Sequence, residues 1–123
     1  VVRYPSASAQ SIQDFYDKYE ANKAYFLTWQ AMAKDGNVAA MKHIMDMGGD
    51  QMFVQLDSIR NTLTEHNQLI RDIYKNPDMK PDEKRQLIDT LYGNMIQVAG
   101  AGNTAIRAMQ DKSQQLAEPL SQR

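Results

Sequence analysis

The chain contains no cysteine, which excludes disulfides, thiolate nucleophiles and Cys-ligated zinc together. The compartment stays open, since a secreted or virion protein can also lack cysteine. An excess of one charge is missing too: 14 Lys and Arg stand against 15 Asp and Glu, a formal net charge of -1. No uncompensated basic field is available to attract nucleic acid, so a dedicated nucleic-acid face is not expected. No apolar run approaches the roughly 20 residues that cross a bilayer, and no basic-then-apolar leader resembles a signal peptide. No transmembrane segment is therefore expected. Strand signals are absent as well, because no sustained period-two alternation is bounded by hairpin turns.

What is present is helical periodicity, in a length of 123 residues that suits one modest core. After a turn at Pro5, Ile12, Phe15, Tyr16 and Tyr19 recur at offsets of three and four, on one helical stripe. A second cluster, Tyr25, Phe26, Trp29, Met32 and Ala33, follows an irregularity expected near Asn22. Aromatic residues at this spacing form half of a core, or else dock on a partner; the core is the preferred reading. "KDGN" at 34–37 is turn chemistry, and Asn37 can cap a short helix through Val38, Met41, Ile44 and Met45. Gly48 is free to take the positive φ that ends a helix, and Asp50 stands where the next N-cap belongs.

The strongest pattern is Leu56, Ile59, Leu63, His66, Ile70 and Ile73, a heptad seam with one polar member. Ile88, Leu91, Met95 and Val98 repeat the alternation, which continues through Gly102, Ala105 and Met109. Between the two runs, Pro77 pushes the residue before it out of helical angles, and Pro81 suits the first turn of the following helix. Asp82 and Glu83 favour that helix's positive end, while Lys84 and Arg85 face solvent or a carboxylate neighbour. The expected fold is all-α: a helical bundle built around a long antiparallel αα-hairpin, about 51–75 and 81–117, with one or two N-terminal helices packed on it. Residues 1–123 read as a single helical domain, a fragment or processed part of a longer chain, because the sequence opens on "VVRYPSASAQ" and closes on "AEPLSQR".

Sites for chemistry are scarce. Two histidines, His43 and His66, lack the ligand spacing of a metal centre; His66 reads as a register-fixing polar seam residue or as a histidine at the wet edge of the packing. The carboxylate pairs Asp14 with Asp17 and Asp46 with Asp50 lie outside apolar runs that would raise one pKa, so they read as solvated charges. "VAGAGNTA", 98–105, lacks the strand, the Lys and the glycine spacing of a phosphate loop. Two helical readings remain for it: close approach of a neighbouring backbone at Gly100 and Gly102, or a local break. Glycine's cost within a helix favours a kink or flexible joint over a ligand site. Neither an enzyme nor a cofactor is expected. The methionines grouped between Met32 and Met52 fill core gaps or line an adaptable surface.

The stretch "IYKNPDMKPDEKRQLIDTLYGNMIQVA", Ile73 to Ala99 and roughly a fifth of the chain, carries a resemblance. It resembles the helix, acidic proline-containing turn and "xEKRxxIDxLxxxMxxxA" pattern near the C-terminal ends of tailed-phage internal virion, or DNA ejection, proteins and of large polyvalent proteins. The resemblance implies a non-enzymatic structural segment that leaves the capsid with the DNA and assembles across the host envelope. Its implied locations are the virion and then the host cell envelope, and its implied partners are further copies of itself or other virion proteins. The alternative is a free-standing cytoplasmic adaptor or inhibitor, binding a protein through the aromatic N-terminal third or the Met-rich middle. Tyr25, Phe26, Trp29, Met41 and Met45 are the candidate partner face. A third reading is a small helical enzyme or ligand carrier with a cavity among Tyr25, Trp29 and the methionines.

Overall fold

A computed structural model describes residues 6–121, with the side chains of 10–115 apart from those at 50 and 52. Among the described residues the fold is all-α: α1 (Ser6–Lys34), α2 (Val38–Asp46), a 3-10 turn (Gly49–Phe53), α3 (Val54–Lys75) and α4 (Pro81–Ser121). The expected hairpin is α3 and α4, with α1 and α2 as the N-terminal helices. Pro5 lies outside the described residues.

Local chemistry sets the boundaries. Asn37 caps α2, its side-chain oxygen accepting from the Ala40 N–H at 3.0 Å. Gly48 follows α2 with φ +119°, a conformation that costs glycine little and any L side chain more. Asp50 is not the N-cap expected for the next helix. Gly49–Phe53 winds first as a tighter 3-10 turn, so α3 starts at Val54 with Phe53 in the cap position. Asn22 marks no irregularity either: its amide donates to the Lys18 carbonyl at 2.7 Å within unbroken α1.

The connector behaves largely as its prolines require. Asn76, before Pro77, is extended at ψ 116°, and its side chain accepts from the Asp78 N–H at 2.8 Å. Pro81 opens α4. Arg85 is exposed as expected, and Lys84, partly exposed, finds a backbone carbonyl in place of a carboxylate. It reaches back to donate to the Tyr74 carbonyl at 2.9 Å, placing a cation on the negative end of α3.

The core contains Phe15, Tyr19 and Phe26 of α1, Phe53 of the 3-10 turn, Leu56, Leu63 and Ile70 of α3, and Ile88, Met95, Ala99 and Ile106 of α4. Ile12, Tyr16, Ile44, Ile59, Ile73, Leu91, Val98, Ala105 and Met109 are partly buried around it. Full burial of one such large side chain contributes about 1.5–3 kcal/mol. On α3 the deepest residues, Leu56, Leu63 and Ile70, keep the heptad step. On α4 the step continues through Ile88, Met95 and Gly102, but the buried stripe widens to Ala99 and Ile106, each one position beyond the expected and only partly buried Val98 and Ala105. The cause is geometric. A strict seven-residue repeat drifts about 20° per heptad on a straight helix, whereas Ile88 and Ile106 stand about five whole turns apart. α4 serves two neighbours, packing as extensively on α1 as on α3, and a straight stripe serves both.

The glycines of α4 do not interrupt it, since the helix runs unbroken from Pro81 to Ser121. Gly102 has close neighbours, but they are side chains and not the backbone expected: a Cβ there would fall 2.3 Å from a ring carbon of buried Phe15 and 3.3 Å from Ile59. At Gly100 a Cβ would meet nothing within 4 Å. Asn103 beside it pins α4 to α1, its amide donating to the Ser11 carbonyl at 3.0 Å.

Candidate functional site

Four elements meet around a cavity of about 170 Å³. α1 contributes Asn22, Tyr25, Phe26 and Trp29 at spacings of three and four, so one face of the helix forms the longest wall. α2 supplies His43 and Ile44, followed by Met47; Phe53 forms the floor between helices; α4 closes the far side with Met109, Gln110 and Ser113. The walls are ordered by ring contacts. Trp29 stacks on His43 at 4.3 Å between centroids, Tyr25 meets Trp29 edge-on at 5.9 Å, and Phe26 lies 4.8 Å from Phe53. Offset and edge-on pairs of this kind are worth about 0.5–1.5 kcal/mol beyond the area they bury.

Next to the cavity stands the one side-chain cluster whose ionisation is shifted among the described residues. Tyr19 Oη donates to Asp57 Oδ1, and Lys23 Nζ reaches both Asp57 oxygens, at 3.2 and 3.1 Å. The same ammonium lies 5.0 Å from the centre of the Phe53 ring, within cation–π range. Burial, the hydrogen bond to Asp57 and the carboxylate's charge push the Tyr19 phenol up to about 12. At Asp57 burial works to raise the carboxyl, but the hydrogen bonds from Tyr19 and Lys23 and the charges of Lys23 and Arg60 outweigh it and lower its pKa. The phenol thus holds its proton and the carboxylate stays ionised through the neutral range. That makes the cluster a tether between α1 and α3 and a poor proton-transfer device. Tyr16 adds a looser polar fringe along the same seam, within 3.4 Å of Thr64 and 3.5 Å of Asn67.

The proposed partner face separates into parts. Phe26 is buried on Phe53 and Trp29 is half-buried on His43, so both are wall and core. Tyr25, Met41 and Met45 are exposed. His66, half-buried in the seam, donates from Nδ1 to the Thr62 carbonyl at 2.8 Å. Asp14 and Asp17 accept from Gln10 and Gln13 one turn earlier, and Asp46 pairs with Lys42 at 2.7 Å; the Asp50 side chain lies outside the described residues. Among the described residues no three His, Asp or Glu side chains group as metal ligands, and no helix is long and apolar enough to cross a membrane.

Sequence reasoning missed Asp57, Phe53, Gln110 and Ser113. Tyr19 was on the expected aromatic stripe and Lys23 was missed as well; the two are four apart on one face of α1, but their partner sits on another helix. Phe53 is a lone aromatic in a segment without helical periodicity.

The fold and cavity define the class, an all-α bundle with an aromatic-walled pocket at one corner. No family profile matches the chain, and a search of curated proteins and of solved structures gives no significant match.

Proposed function

We propose that this chain is a non-enzymatic assembly component that associates with further copies of itself through the outer face of α2. The observation that carries this reading is the two-sidedness of that helix. Ala40, His43 and Ile44 point inward, and the opposite face presents Val38, Met41 and Met45, which are 74%, 42% and 75% exposed. Three apolar side chains in register on a solvent face match how helices dock on helices, and methionine suits an adaptable contact.

A second copy is the favoured occupant because the patch is self-complementary. Lys42 and Asp46 run together along one edge of the stripe and pair with each other at 2.7 Å, and in an antiparallel two-fold pairing each can exchange to the opposite charge on the other copy. A net charge of -1 imposes little repulsion between copies. The setting, a helical segment of a tailed-phage ejection-type protein acting in genome delivery, rests on the resemblance of Ile73–Ala99, the stretch that forms the turn from α3 into α4. Docking of a different protein on the same face is the second reading.

Sedimentation over a range of protein concentrations tests the proposal. The expected result is a mass that rises with concentration, and a Met45→Glu variant that stays monomeric with an unchanged melting temperature. A wild-type chain that is monomeric throughout the range would overturn self-association.

A further inference from the structure

The inner face of α2 carries a separate feature, built from other residues than the outer one. We propose that the cavity between α1, α2, Phe53 and α4 binds a small uncharged aromatic compound, of one ring or two fused rings, bearing a single hydrogen-bonding group.

Size sets the first limit. The space is about 170 Å³, and an apolar cavity of about 150 Å³ holds a benzene-sized molecule. Wall chemistry sets the second. Rings and thioethers from Tyr25, Phe26, Trp29, Phe53, Met47 and Met109 present flat polarisable surfaces on several sides. His43 of α2 and Gln110 and Ser113 of α4 line the cavity and make no side-chain hydrogen bond among the described residues, so each has capacity for a ligand.

Charge sets the third limit. No Asp, Glu, Lys or Arg lines the cavity, so an ionised guest would lose water without gaining a counter-charge. A cation would also lie near the Lys23 ammonium over Phe53. An anion would find that ammonium already paired with Asp57 at 3.1 Å.

Trp29 is the sole tryptophan, so fluorescence reads the cavity wall directly. The chain is titrated with p-cresol, toluene, 4-methylbenzoate and benzyltrimethylammonium, following Trp29 emission and the methyl NMR signals of Met47 and Met109. The expected result is saturable p-cresol binding that shifts Met47 and Met109 and leaves exposed Met41 and Met45 in place. The two ions are expected to bind weaker by about tenfold or more. Ser113→Phe, which fills the cavity, is expected to abolish binding while the melting temperature is kept. Gln110→Ala is expected to weaken p-cresol and leave toluene unchanged, a split that altered folding would not produce. Absence of a saturable p-cresol response, equal binding of the ions, or shifts confined to Met41 and Met45 would overturn the proposal.

Discussion

At the scale of single residues, the Tyr19–Asp57–Lys23 cluster makes the clearest demand, and it concerns pH. Asp57 has a lowered pKa in the folded chain, so on acidification the unfolded chain takes up its proton first. Its contribution is complete above the unfolded value of about 3.9 and is lost as pH falls through the folded one. Tyr19 runs the other way. Its pKa is raised from 10.0 to about 12, so the fold favours the neutral phenol, and stability is lost as pH climbs across that interval. Melting temperature measured against pH is expected to show both limbs. Tyr19→Phe should flatten the wild-type alkaline limb across that window; an identical slope in the variant would refute the assignment. Asp57→Asn is expected to cost about 1 kcal/mol at neutral pH, a modest figure because water reaches the pair.

At the scale of elements, two glycines two positions apart on α4 should respond in opposite ways. Gly100→Ala adds a methyl in open space to an unbroken helix and is expected to stabilise by about 1 kcal/mol. Gly102→Ala drives a carbon into the Phe15 ring, which is fully buried and hemmed in by Tyr16 and Tyr19. It is expected to destabilise by about 1–3 kcal/mol, and urea melts of the pair that move in the same direction would show the helices to be differently spaced. Those glycines also show what could be read in advance. Helix class, the Asn37 cap, the Gly48 turn, the proline connector and the α3 seam are local or periodic, so they were legible. Whether Gly102 meets a neighbour depends on α1, more than eighty residues earlier in the chain, and no local signal reports that distance. The widening of the stripe from Val98 and Ala105 to Ala99 and Ile106 has a similar origin, since periodicity on one helix does not say how many helices it must face. The site was legible in part. Tyr25 and Trp29 were named for a cavity, but Phe53, Gln110 and Ser113 reach it only through tertiary packing.

At the scale of the whole molecule, α4 is the shared partner. Its 41 residues extend about 60 Å at 1.5 Å per residue, and α1 and α3 both lean on it. α1 and α3 touch each other much less, and what joins them includes the contacts of Tyr19 and Lys23 with Asp57 and of Tyr16 with Thr64. A fold in which the apolar contacts converge on one helix should lose them together. Far-UV circular dichroism, reporting all helices, and Trp29 fluorescence, reporting the corner of α1 and α2, are therefore expected to melt at one temperature. Separated midpoints would mean that this corner opens by itself. The corner itself rests on a helix of nine residues, too short to persist in water without its packing. Its inward and outward surfaces consequently share one order–disorder equilibrium. By thermodynamic linkage, whatever steadies α2 from inside the bundle must strengthen any hold on it from outside by the same factor, and the converse.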